Sequence, residues 1–171
     1  MIEAIGKTQQ SLVISQSHDY IARAETLFQR KFAPVEILFD LMGGTAGMFR
    51  VRQRHQQIRY NPWLFAKYFD ENLASTVPHE VAHYIVHKLY STTRMRPHGE
   101  EWQALMVAFD AEPTVTGNYD LCGIPQRRQR RFNYRCDCRQ HELSTRRHNQ
   151  VISGNSSYQC RDCRGQLSYQ A

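Results

Sequence analysis

Residues 79–83 read His-Glu-Val-Ala-His, so two imidazoles four residues apart flank a carboxylate. On an α-helix, residues four apart lie about 6 Å apart along the axis and about 40° apart around it, so His79 and His83 can bind one ion. Glu80 lies about 100° from His79 around the helix, near enough to take a proton from a water molecule at that ion. This HExxH pattern predicts a catalytic zinc for attack on a carbonyl group, with Glu80 as general base.

The third ligand of such a zinc must come from another segment. His87 continues the four-residue spacing, but it lies about 12 Å from His79 along a helix, whereas zinc–nitrogen bonds are about 2.0–2.1 Å. His98 is the preferred ligand, since a proline and a glycine flank it and indicate a turn before the next helix. Glu100 and Glu101 remain alternatives, because a carboxylate can also complete a zinc site.

A second metal site is predicted near the carboxyl terminus. The segments YRCDCRQHEL and YQCRDCRGQL resemble each other, and each places a tyrosine two residues before a cysteine. Cys160 and Cys163 have the CxxC spacing of a zinc knuckle, whereas Cys136 and Cys138 form a shorter CxC pair. The ligands of this structural zinc are either all four cysteines, or a set in which His141 replaces one of the first pair. A disulfide is the weaker alternative, and Cys122 is left over as an ordinary thiol.

Charge is distributed unevenly along the chain. Residues 1–120 contain 12 Lys and Arg against 13 Asp and Glu, whereas residues 121–171 contain 10 Arg, no Lys and 3 Asp and Glu. We therefore expect two domains with a boundary at residue 120. Interleaved with aromatic residues, the arginines suit phosphate contacts and base stacking, although a solvated basic face is the alternative. The predicted nucleic-acid contacts are Arg127, Arg128, Arg130, Arg131, Arg146 and Arg147.

The elements that must position these groups indicate an α+β fold. Apolar spacing predicts helices, and short apolar runs between turn residues predict strands. The helices are expected at residues 18–32, 71–90 and 99–112, a strand at 35–40, and two extended segments within 43–62 that bend near 53–56. Pro78 either opens the last part of the second helix or kinks it. The result is a small sheet beside the HExxH helix.

The composition also predicts the compartment. Hydrophobic residues make up 41% of the chain, which argues for a folded protein and against disorder. No run of about 18 apolar residues occurs, so no membrane association is expected. The first twenty residues contain a glutamate and a polar interruption where a signal peptide would have basic and apolar blocks. A cytoplasmic location is therefore expected.

Four stretches together resemble the SprT family of zinc metalloprotease-like proteins. They are PHEVAHYIVHKLY, PHGEEW, TGNYDLCGIPQRRQRRFNYRCDC, and the pair RRHN and YQCRDC. The resemblance implies a small zincin-type domain followed by a zinc ribbon, with His79, His83 and His98 as ligands of a catalytic zinc and Glu80 as the general base. The sequence departs from relatives at HGEEW, where they often have HGPEF-like residues, and at CxC, where many have CxxC.

The family resemblance also indicates a substrate class. Eukaryotic members degrade proteins crosslinked to DNA, and their activity depends on DNA. We therefore expect a zinc metallopeptidase that acts on DNA-associated or DNA-crosslinked proteins, with DNA and protein substrates as partners. The alternative is a non-catalytic, zinc-containing DNA-binding accessory protein.

Overall fold

The computed structural model describes residues 2–53, 55–90, 96–115, 117–126 and 130–170. Helices and two three-stranded sheets make a mixed α and β structure. The contacts divide the chain into two compact units, Met1–Gln126 and Arg127–Ala171.

The division lies later than the expected boundary at residue 120 because the following segment packs within the first unit. Lys67 donates hydrogen bonds to the Asp120 carboxylate and to the carbonyl of Cys122. Ile124 is buried in a small apolar cluster with Ala46. Residues 121–126 carry no charged side chain, so the change in charge coincides with the end of the first unit.

The described residues of the first unit form five helices and three strands. In chain order these are α1 (Lys7–Leu27), β1 (Glu36–Leu38), β2 (Gly47–Arg52), β3 (His55–Tyr60), α2 (Pro62–Lys67), α3 (Phe69–Ala74), α4 (Thr76–Tyr90) and α5 (Glu100–Ala108). The core gathers apolar side chains from α1, α4, α5 and β3. Helices thus pack on one small sheet.

The sheet has the strand order β1-β3-β2, so β2 lies at an edge. β1 runs parallel to β3, and β2 runs antiparallel to it with Phe49 opposite Ile58. Side chains alternate between faces along a strand, and this pair points toward the core. The Phe49 ring lies 6.0 Å from the ring of Tyr84 on α4. This packing brings β2 against the HExxH helix.

α1 differs from the helix predicted over residues 18–32 at both ends. It begins earlier because Val13 and Ser17 extend the buried stripe toward the amino terminus. The Ser17 hydroxyl donates to the Val13 carbonyl at 2.7 Å and lies 3.0 Å from the Tyr60 hydroxyl, so a polar residue occupies a core position without loss of hydrogen bonds. The chain leaves the helix at Gln29, whose φ of 48° is left-handed.

Residues 71–90, predicted as one helix, form the end of α3 and all of α4, which meet at Ser75. Pro78 lies in the first turn of α4. Backbone N–H groups there have no intrahelical partner, so a proline costs no hydrogen bond. Pro78 therefore lies near the opening of the helix, one of its two expected roles.

One further helix prediction needs correction, and one helix was missed. α5 is shorter than the predicted 99–112, since Asp110 has a left-handed φ of 62°. α2 was not predicted, although Asn61 and Pro62 together indicate a helix start. The Asn61 side chain accepts hydrogen bonds from the N–H groups of Trp63 and Leu64, which caps α2.

The second unit is a small sheet with one helix. Its elements are β4 (Arg131–Arg135), β5 (Gln140–Ser144), α6 (Thr145–Ile152) and β6 (Ser168–Tyr169), and the strand order is β5-β4-β6. Phe132, Tyr134 and Leu143 are buried together with Cys136 and Cys160. The cysteines are therefore part of this unit's small core.

In the part of the chain that the structure describes, no helix combines the length and the hydrophobicity that crossing a bilayer would require.

Candidate active site and metal centres

α4 presents His79 and His83 on its less buried side. Val77, Val81 and Ile85 are fully buried, which fixes the rotation of the helix about its axis. His79 and His83 consequently lie on a half-buried side. The amphipathic pattern of α4 therefore sets the direction of both imidazoles.

Three histidine nitrogens converge on one point. The Nε2 atom of His83 lies 3.1 Å from Nε2 of His79 and 3.1 Å from Nε2 of His98, and the latter two are 3.2 Å apart. Tetrahedral zinc with bonds of about 2.0–2.1 Å would separate nitrogen ligands by about 3.3 Å. The three side chains therefore fit a zinc ion, and His98 reaches it from the turn before α5.

Trp102 supports all three imidazoles, a role that sequence reasoning missed. Its ring centroid lies 4.8 Å from those of His79 and His98 and 5.7 Å from that of His83. Its indole N–H donates to the backbone carbonyl of His79 at 3.3 Å. Trp102 lies four residues after His98, and this spacing could have predicted that the two side chains are neighbours.

Burial favours the neutral, metal-binding form of the His79 and His83 rings. Burial lowers the pKa of His79 to about 4, with a further contribution from His98 and an opposing hydrogen bond to the backbone of Thr114. Burial likewise lowers the pKa of His83 to about 3, helped by its two histidine neighbours. Neutral imidazole is the ligand form, so both rings are ready to bind near neutral pH.

Glu80 is a buried carboxylate next to this cluster. Its side chain is 5% exposed, and its Oε2 atom accepts a hydrogen bond from the Phe49 backbone N–H at 2.6 Å. Burial raises the pKa of Glu80 to about 8, and the bond from Phe49 opposes the shift. A carboxyl group with a pKa near neutrality can both accept and return a proton, as a general base requires.

A cavity of about 560 Å³ opens beside His79 and Glu80. Its walls come from the start of β2, the junction of α3 and α4, and the segment that follows α5. Among the lining side chains, Tyr119 donates from its hydroxyl to the side-chain oxygen of Asn72 at 2.8 Å, which ties that segment to α3. The cavity is large enough for a substrate side chain next to the proposed general base.

The other candidate ligands lie apart from the histidine cluster. His87 packs against Phe49 with ring centroids 5.5 Å apart, as expected for a structural residue. Glu100 and Glu101 lie in the first turn of α5, where carboxylates interact favourably with the helix dipole. Within the described residues, the group around this point consists of His79, His83 and His98.

The second unit gathers four sulfur atoms. The ligand atoms of Cys136, Cys138, Cys160 and Cys163 all lie within 4.8 Å of one another. The Sγ atom of Cys138 lies 3.4 Å from that of Cys136 and 3.6 Å from that of Cys160. These distances are close to the sulfur–sulfur separation of about 3.8 Å that tetrahedral zinc with Zn–S bonds of about 2.3 Å would give. The four cysteines therefore fit a structural zinc, and Cys122 lies outside this group.

His141 contacts this cluster but lies outside the group of four. Its Nε2 atom is 3.2 Å from Cys136 Sγ. Burial raises the pKa of Cys136, but hydrogen bonds from His141 and the backbone outweigh it and bring the pKa to about 5. His141 thus has the geometry of a hydrogen-bond partner of one thiolate, and the four-cysteine set is the one brought together.

Exposed arginines surround a buried aromatic side chain in the second unit. Arg130, Arg131, Arg146 and Arg147 are exposed, and the predicted contacts Arg127 and Arg128 lie outside the described residues. The Phe132 and His148 rings stack with centroids 3.6 Å apart, and the Arg130 guanidinium lies 4.7 Å from the Phe132 centroid. The exposed arginines have the chemistry for phosphate contact, whereas Phe132 is buried against His148.

Comparison with known proteins adds a family assignment to this geometry. Residues 17–119 match the SprT-like family. Protein SprT of Vibrio parahaemolyticus is 34% identical over 169 residues, covering 98% of this chain and 95% of that protein. Protein SprT of Pseudomonas paraeruginosa is 37% identical over 153 residues, covering 86% of this chain and 87% of that protein. No solved structure matches the chain.

Proposed function

The chain belongs to the SprT-like family, and we propose from this premise that it is a zinc-dependent metallopeptidase with a zincin-like catalytic unit. The observation that carries the proposal is the convergence of three histidine Nε2 atoms beside a buried glutamate at the edge of a cavity. His79, His83 and His98 would hold the catalytic zinc, and Cys136, Cys138, Cys160 and Cys163 the structural one. The zinc at the histidines would polarise the scissile carbonyl and lower the pKa of the attacking water.

Glu80 performs the proton transfers in this proposal. Its carboxylate accepts the proton of the attacking water and then delivers it to the leaving amine, so that the peptide bond breaks as a carboxylic acid and an amine form. The carboxylate is placed for this role by the Phe49 N–H. Trp102 keeps the imidazole side of the site apolar.

The edge strand β2 is the proposed binding site for substrate backbone. An extended peptide can add to an exposed sheet edge through main-chain hydrogen bonds, with little preference for side chains. β2 is an edge strand, and Gly47 at its start lines the same cavity as Glu80. Such binding would accept many unfolded segments, so another restraint on substrates is needed.

DNA binding by the second unit is the proposed restraint. Delivery to DNA would confine the peptidase to proteins that are bound or crosslinked to it. The exposed side chains of Arg130, Arg131, Arg146 and Arg147 support this part of the proposal. The DNA-bound proteins are then the substrates, and the proposed location is the cytoplasm.

The alternative is a non-catalytic DNA-binding accessory protein with two zinc ions. One experiment separates the two functions: zinc-loaded chain is incubated with single-stranded DNA and a DNA-bound protein, and cleavage is followed by electrophoresis. The parent should cleave, and Glu80→Gln should retain both zinc ions yet cleave nothing. Glu3→Gln, an exposed glutamate change elsewhere, is the control. Absence of cleavage by the parent favours the accessory protein, and equal cleavage by Glu80→Gln would mean that the cleavage does not arise at this site.

A further inference from the structure

We propose that Gly47 is a positioning residue: the absence of a side chain at this point of β2 allows the strand to hold the Glu80 carboxylate in place. The catalytic consequence of this inference rests on the proposed function. The structural part, that Gly47 determines where the carboxylate lies, can be tested without it.

The inference begins with the closeness of the strand to the helix. A Cβ atom at position 47 would lie 2.6 Å from Cγ and 2.7 Å from Oε1 of Glu80, and 2.7 Å from Cγ2 of Thr76. Real Cβ atoms almost never approach other heavy atoms this closely. The φ angle of Gly47 is not in the left-handed region. Glycine is therefore needed here for space and not for backbone conformation.

Of the two neighbours of Gly47, Thr76 is the one that cannot easily move aside. Thr76 is buried, and its hydroxyl donates to the Asn72 side-chain oxygen at 2.6 Å, which fixes the direction of its methyl group. Asn72 is fully buried and also accepts from the Tyr119 hydroxyl, so its own position is determined by further bonds. A methyl group at position 47 would therefore displace Glu80 in preference to Thr76.

Glu80 in turn depends on the same strand for its only described hydrogen bond. Phe49, two residues after Gly47, donates its N–H to Oε2 at 2.6 Å. Residues two apart on a strand share one side and one direction of backbone groups. Close contact at Gly47 and the bond at Phe49 thus act together on one carboxylate, and a displaced side chain would lose that bond.

Gly44 offers a matched control. It lines the same cavity, but a Cβ there would lie 3.3 Å from a methyl group of Leu121, the end of a flexible side chain. Gly44→Ala and Gly47→Ala restrict the unfolded chain equally, so that effect cancels between them. Only Gly47→Ala would move the carboxylate of Glu80.

The direct test is the NMR signal of the Phe49 amide in the zinc-loaded full chain. An N–H bound to a carboxylate at short distance has a strongly downfield proton shift. We expect Gly47→Ala to move this signal upfield and Gly44→Ala to leave it unchanged, with two zinc ions retained in both. Cleavage by Gly47→Ala should fall roughly 10- to 100-fold in kcat with little change in KM, because the general base is misplaced.

An unchanged Phe49 signal in Gly47→Ala overturns the inference. The inference is also overturned if the signal moves but the kcat of Gly47→Ala equals that of a parent chain that cleaves. If the parent cleaves nothing, the proposed function fails, but the Phe49 amide signal still shows whether Gly47 determines the position of Glu80.

A double-mutant cycle measured by thermal unfolding provides a second test in case Gly47→Ala folds too poorly for NMR. Gly47→Ala should destabilise the parent more than it destabilises Glu80→Ala, which lacks the crowded Cγ and Oε1 atoms. Equal destabilisation in the two backgrounds would overturn the inference.

Discussion

The Phe49 backbone N–H donates to the Glu80 carboxylate at 2.6 Å, and this bond joins an edge strand to the HExxH helix across 31 positions of sequence. A buried carboxylate with one backbone partner is less stabilised in its ionised form than a solvated one. Burial raises the pKa of Glu80, and the single bond from Phe49 only partly opposes this shift. The same bond holds the carboxyl group at a fixed position.

Glu80 should make the stability of the metal-free chain depend on pH. Its pKa is 4.5 ordinarily and about 8 in the folded state, so between these values the folded chain binds more protons than the unfolded chain. The stability contributed by the protonated carboxyl is thus complete below pH 4.5 and is lost as pH rises toward 8. Glutamine does not ionise, so the stability of Glu80→Gln does not fall in this way. The free energy of unfolding of Glu80→Gln relative to that of the parent should therefore increase with pH by several kcal/mol.

Urea unfolding of chelator-treated parent and Glu80→Gln at pH 5 and pH 8 measures this difference. The lowered pKa values of His79 and His83 affect both chains alike and cancel. A difference that stays constant between the two pH values would mean that Glu80 is not buried as described.

His98 should be required for the first zinc, and His87 should not. Replacing His98 by alanine removes one of three converging nitrogens, so metal analysis should give one zinc per chain in place of two. His87→Ala removes only packing against Phe49 and should retain both ions. Glu101→Gln tests the alternative ligand and should also retain both. Two zinc ions in His98→Ala would refute the assignment.

The four cysteines, without His141, should bind the second zinc. Cys160→Ser should lose one zinc and unfold the second unit, because a structural metal contributes much of the folding free energy of so small a core. His141→Ala removes a hydrogen bond to Cys136 and should retain the metal with lower affinity. Cys122→Ser is the control. Loss of a zinc ion from His141→Ala would favour the histidine-containing ligand set.

Local spacing explains why much of the site could be predicted. His79 and His83 are related by helix geometry alone, and a turn at His98 follows from its neighbours. The contact of Gly47 with Glu80 could not be predicted, because it depends on how β2 packs against α4. Ser17 illustrates the same limit for the fold: a polar residue filled a core position through a hydrogen bond to Tyr60, so the apolar pattern placed the start of α1 too late.

Arg146 and Arg147 offer the sharpest test of DNA binding. Both are exposed on α6, and replacing them by glutamine keeps polar side chains that can hydrogen-bond while removing two charges. If both contact phosphates, affinity for single-stranded DNA should fall, and the slope of log affinity against log salt should decrease by about 1.4. The loss should be similar for different base sequences, because phosphate contacts carry no sequence information. Fluorescence anisotropy over a salt series measures both quantities. Arg23→Gln, on α1 of the first unit, is the control, and an equal loss with it would refute a DNA site on α6.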